Sequence, residues 1–171
     1  HITNEIKEHI KILGETGQYD IVITEVGGTV GDIESLPFIE AIRQLKWEME
    51  SNAISIHLTL VPYLAAAGEL KTKPTQNSVK KLRELGLQPE VLVCRTEHSL
   101  NSEIRRKIAQ FCNVERDAVI ESIDAESIYD VPLLMQAEQL DKVVLRKLGL
   151  EDDTEVSLDT WKDFLFRLKN P

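Results

Sequence analysis

The 171 residues contain only two cysteines, Cys94 and Cys112, with no CxxC pair and no histidine at a zinc spacing. That excludes a zinc knuckle and a disulfide scaffold. Both sit in apolar surroundings (VLVC and QFCN), as buried small side chains do rather than reactive thiols. Basic residues are also scarce: 20 Lys and Arg stand against 29 Asp and Glu, a net charge of −9. This balance argues against a duplex DNA or RNA binder, which needs a basic face, and leaves room for a local cluster holding a small anion. No apolar run approaches the roughly 20 residues that span a membrane. With 42% hydrophobic and 29% charged residues, the chain reads as one soluble domain with a real core. No signal peptide is visible, which together with the cysteine usage points to a reducing cytoplasm. Neither GxxxxGK[ST] nor GxSxG occurs, so these residues hold no P-loop, and acyl chemistry through a nucleophile elbow has no support.

What is present is an alternation of strand and helix signals. HITNEIKEHIKIL places Ile2, Ile6, Ile10 and Leu13 on one helical stripe, and a chain opening there is expected to be cut within a domain. DIVITEV is a β-branched run expected to be a buried strand. Ser35 and Pro37 start a helix that continues through Phe38, Ile39, Ile42 and Leu45. A strand over Ile54–Val61, a polar loop GELKTKPTQ and a helix over Ser78–Leu85 stopped by Gly86 follow. EVLVC and AVIES are further strands flanking a helix over Glu103–Phe111, and Val131–Leu150 reads as helical. The acidic EDDTE then leads into LDTWKDFLFRLK, where Trp161, Leu165 and Leu168 share a face. The expected class is α/β: a mostly parallel sheet with helices on both faces, a three-layer, Rossmann-like architecture.

Ligands of such sheets bind beyond the carboxyl ends of the strands. In TEVGGTVGDIES, Glu25 closes a hydrophobic run beside Gly27, Gly28 and Gly31, where a carboxylate could hold Mg²⁺ or merely cap a turn. Asp32 and Glu34 add acceptors for a ribose or base, or simply complement a helix start. Lys71-Thr72-Lys73-Pro74-Thr75-Gln76 has the composition of a polyphosphate cradle, although a solvated loop has it too. Arg95 and Lys107 are further candidate cations. His57, inside ISIHLTLV, reads as a satisfied core histidine, and His98 shows no partner pattern.

Taken in series, EVGGTVGDIESLPFIEAIRQ, HLTLVP, GELKTKPTQNSV, FCNV and SIYDVP closely resemble the synthetase (amidoligase) domain of the CTP synthase family, in order and from His1 to about Leu150. The resemblance implies a P-loop NTPase-like fold and the ATP-dependent amination of UTP to CTP. In that chemistry the uracil O4 is phosphorylated and the phosphate is then displaced by ammonia from a glutaminase domain. It also implies Mg²⁺, feedback inhibition by CTP, and a homotetramer. Carried over by motif, Glu25 is a Mg²⁺ ligand. Asp32, Ile33, Glu34, Lys71, Thr72, Lys73, Pro74, Thr75, Gln76 and Lys107 bind UTP or CTP, and Arg95, Asp124 and Ala125 lie beside ATP. On this basis residues 1–150 are expected to be the C-terminal part of the amidoligase domain and 151–171 a linker helix towards a glutaminase domain. The chain is thus expected to be an internal fragment, inactive alone, without the N-terminal P-loop region. The alternatives are a related ATP-dependent carboxylate amidoligase and a non-catalytic, nucleotide-sensing oligomerisation module.

Overall fold

The computed structural model describes residues 1–150 and 154–170. Helix α1 (Ile2–Glu15) packs on α2 (Leu36–Met49), which a 3-10 turn at Ile33–Ser35 introduces. Strand β1 (Ile56–Leu60) is followed by a short antiparallel hairpin, β2 (Tyr63–Leu64) and β3 (Glu69–Leu70), and then by α3 (Lys73–Glu84). Next come β4 (Val91–Thr96), α4 (Ser102–Cys112) and β5 (Val119–Ile123), and after them α5 (Val131–Ala137), α6 (Leu140–Lys147) and α7 (Asp159–Lys169). Among the described residues β1, β4 and β5 form a three-stranded parallel sheet in that order. The expected α/β class is borne out.

Strand alternation divides the core. Leu92 and Cys94 of β4 face α3 and α4 with Val79, Ile108 and Cys112, whereas Val91 and Ile120 face α5 and α6 with Val143. Burying side chains such as Leu92, Ile108 and Ile120 stabilises the layers by about 1.5–3 kcal/mol each. Burial pushes both thiols, Cys94 and Cys112, up to about 11, so they are inert packing groups as expected. His57 is half-buried and bonded to Ser78 Oγ at 2.8 Å, and burial lowers its pKa, consistent with a satisfied core histidine. Gly86 ends α3 at φ +85°, where a Cβ would meet Arg43 Cδ at 2.6 Å.

Three expectations require correction. DIVITEV is not a strand: among the described residues no backbone bond reaches 19–28, and Ile23 is 90% exposed. β-Branched residues favour an extended backbone, but a strand also needs a ladder partner, and the described sheet ends at β1. Helices do flank both faces of the sheet, α3 and α4 on one and α5 and α6 on the other, with Ile56, Leu58 and Leu60 of the edge strand β1 left exposed. Val131–Leu150 is two helices, broken where Gln139 adopts φ 58°. On α7, Leu165 is buried but Leu168 is exposed, and Trp161 donates to Tyr129 O at 2.9 Å. Of the EDDTE segment, residues 151–153 lie outside the described residues.

Candidate functional site

Beyond the carboxyl ends of β1, β4 and β5 lie the hairpin with the following α3, the loop 97–101, and the loop 124–127. Most of the candidate residues collect on this edge. The KTKPTQ stretch is not a loop as expected: Lys73 through Gln76 form the first turn of α3. Thr72 occupies the N-cap position and Pro74 sits where its missing N–H costs nothing. No side chain caps this end and its first turn carries no acidic residue, so the positive end of the helix is open to an anion.

The threonines and the glutamine build the turn. Buried Thr75 donates its hydroxyl to Leu60 O at 2.9 Å, with Thr59 Oγ1 3.3 Å from the same oxygen, fastening α3 to β1. Gln76 Nε2 donates to the buried Thr72 Oγ1 at 3.0 Å. The charged groups stay outside. Lys73 Nζ lies 5.7 Å from the centroid of the Phe111 ring on α4. Lys71 pairs with Glu69, and this hydrogen bond, with Lys71's charge and a contribution from Lys107 on α4, holds the Glu69 carboxyl below the usual carboxylate range. Lys71 and Lys107, 36 positions apart, therefore act on one carboxylate.

At the next strand end Arg95 Nε donates to Asp124 Oδ1 at 3.0 Å, and Asp124 N–H donates to Thr96 O at 2.9 Å. Ala125 follows, exposed, in the same loop. Asp32, Ile33 and Glu34 are exposed on the 3-10 turn, which Ser35 ties back through Oγ bonds to Thr29 O at 3.2 Å and Asp32 O at 2.9 Å. Gly31 lets this turn lie on α3: its φ is +103°, and a Cβ would meet Lys81 Cε at 2.9 Å. Among the described residues no hydrogen bond or ion pair joins Asp32 or Glu34 to Lys71, Lys73 or Lys107. Glu25 is exposed beside Gly27, and no group of three or more metal-binding side chains occurs among the described residues. Mg²⁺ needs only one or two protein carboxylates when phosphates and water supply the rest, so Glu25 fits one position of such a shell and is no metal site by itself.

Pattern and composition did not single out Glu69, Phe111, Tyr63 or His98 at this edge. His98 does have a partner: its ring lies 4.1 Å from that of Tyr63, centroid to centroid, tilted by 58°. The contact follows from strand register. β1 and β4 pair in parallel with Leu60 opposite Arg95, and Tyr63 and His98 each lie three residues further on.

Residues 1–150 match the family model described as the CTP synthase N-terminus. The chain is 69% identical to a CTP synthase of Christiangramia forsetii over 172 aligned positions, all of this chain and 32% of that protein. It is 65% identical to one from Cytophaga hutchinsonii, with the same coverage, and 62% identical to one from Bacteroides thetaiotaomicron over 98% of this chain and 31% of that protein. It thus spans about a third of the length of these curated relatives. The match to the N-terminal model overturns the expectation of an internal fragment lacking the N-terminal region. The chain belongs to the CTP synthase family.

Proposed function

We infer that this chain supplies the triphosphate-binding part of an enzyme that aminates UTP to CTP at the expense of ATP. The observation that carries this is the gathering of Lys71, Lys73 and Lys107 around the uncapped start of α3, in a chain of net charge −9 whose relatives are named CTP synthase. A local cation cluster on an acidic protein selects a compact polyanion rather than a nucleic acid.

The lysines would hold the triphosphate, a part of UTP that does not react, so that its binding energy orients the uracil. Thr72, Pro74, Thr75 and Gln76 would shape the turn under it, and Asp32, Ile33 and Glu34 would meet the pyrimidine nucleotide from the neighbouring turn. Arg95, Asp124 and Ala125 would lie beside ATP. In the reaction the γ-phosphoryl of ATP passes to the uracil O4. Ammonia then forms the C4–N bond as the C4–O bond breaks and phosphate leaves. Phosphoryl transfer depends on positioning and charge neutralisation, which is what fixed lysines and Arg95 offer. Mg²⁺, with Glu25 as its ligand from this chain, would offset phosphate charge.

The same reading gives CTP as a feedback inhibitor sharing the cradle, ammonia from a glutaminase domain, a homotetramer, and a cytoplasmic setting. Residues 1–150 would belong to the amidoligase domain and 151–171 to its connection with the glutaminase. The test is UTP binding by the full-length enzyme. Lys71→Ala is expected to weaken it on the order of tenfold to a hundredfold, the usual effect of losing a charge-assisted contact, with tetramers intact. Unchanged UTP affinity would overturn the assignment.

A further inference from the structure

We propose that the Tyr63–His98 ring pair is a positioning contact that holds the cradle hairpin in register with the loop after β4 and so sets the affinity for the nucleotide triphosphate. The proposal rests on the assignment of Lys71 to that triphosphate.

The hairpin is weak on its own. Its ladder has only two residue pairs, Tyr63 with Leu70 and Leu64 with Glu69, and a two-stranded hairpin is marginal in water. Its base is fixed: Leu70 packs against the main core, and Lys71 N–H donates to Pro62 O at 2.9 Å. Its tip, residues 65–68, is exposed and closes on itself through bonds from Ala67 and Gly68 back to Leu64. The Tyr63 hydroxyl lies over Gly68, so the ring spans from the tip towards His98.

The His98 side is firm. Buried Thr96 donates from Oγ1 to His98 O at 2.8 Å, and Leu100 N–H donates to Glu121 at 2.5 Å. Arg105 Nε adds a bond to Leu100 O at 3.1 Å. A hairpin of only two residue pairs thus meets a braced loop through this ring contact, next to the residue pair that leads into Lys71. Without it Lys71 would sample more positions, and triphosphate binding would carry the cost of ordering it.

The experiment is steady-state CTP formation by the full-length enzyme with ammonium chloride, varying UTP at saturating ATP and then ATP at saturating UTP. His98→Ala and Tyr63→Ala are expected to raise KM for UTP about two- to tenfold, the range of one aromatic pair. KM for ATP and kcat should move little. His98→Phe, which keeps a ring, should restore the UTP KM. The proposal is overturned if His98→Ala leaves the UTP KM unchanged, if KM for ATP rises as much as KM for UTP while kcat falls, or if the phenylalanine fails to rescue. A wild type that forms no CTP would instead overturn the nucleotide assignment beneath it.

Discussion

Arg105 and Glu138 face each other through two N–H···O bonds of 2.6 and 2.9 Å, although 33 residues separate them. The same guanidinium donates to Val119 O at 2.8 Å, and the Glu138 carboxylate also accepts Glu121 N–H at 2.7 Å. One ion pair thus binds α4, which carries Lys107 and Phe111, to β5 and to the turn before α6. Glu138→Ala would remove the two short bonds and leave the half-buried guanidinium with only the longer 3.4 Å contact to Glu121 as an ion pair, and the expected loss is about 1.5–3 kcal/mol of stability, the scale of hydrogen bonds to charged groups. Urea denaturation measures it, and a loss below 0.5 kcal/mol, the ordinary range of a surface substitution, would contradict the role.

The pH dependence follows from two groups. Burial works to raise the Glu138 pKa, but the bonds from Arg105 and from the Glu121 N–H outweigh it and hold the carboxyl below its ordinary 4.5. Its contribution is therefore complete above that value and is lost as pH falls through the lower folded-state pKa. Burial holds His57 below its ordinary 6.5, so the unfolded chain takes up that proton first and stability begins to fall as pH drops below 6.5. A urea midpoint that declines below 6.5 in the wild type but not in His57→Gln is expected. A midpoint flat from pH 7 to 5 would contradict this.

Thr75 separates scaffold from contact. Its side chain is fully buried and its hydroxyl is bonded to Leu60 O, so Thr75→Val removes that bond at a cost of about 0.5–1.5 kcal/mol. Lys71→Ala, at a partly exposed surface position, should leave the melting temperature within a few degrees, since surface substitutions are usually within about 0.5 kcal/mol. Thermal denaturation of the two variants checks both, and equal losses would contradict the division.

Cys94 and Cys112 are fully buried with thiols pushed up to about 11, so neither offers a thiolate at neutral pH. Native protein should resist alkylation by iodoacetamide at pH 8 and react at both positions in urea, as read by peptide mass. Rapid labelling of the folded protein would contradict the packing.

Strands β4 and β5 and helix α4 were legible because continuous apolar runs and a 3.6-residue stripe each specify one kind of burial. DIVITEV was misread for the same reason, since composition gives the preference for extension but not the neighbour that completes a ladder. The charge of KTKPTQ reads as a loop, although Thr72 and Pro74 carry the signature of a helix start. The break at Gln139 had no glycine or proline to announce it. The Tyr63–His98 contact depends on the register of β1 against β4, which a single sequence does not contain.

The most direct measurement is CTP formation from UTP, ATP and Mg²⁺ by the full-length enzyme, with ammonium chloride to bypass the glutaminase, beside Lys71→Ala and Glu25→Ala. The expected result is CTP from the wild type and loss of it in both variants. Hydrolysis of ATP with no CTP formed would contradict the uracil substrate, and full activity in Lys71→Ala would contradict the cradle.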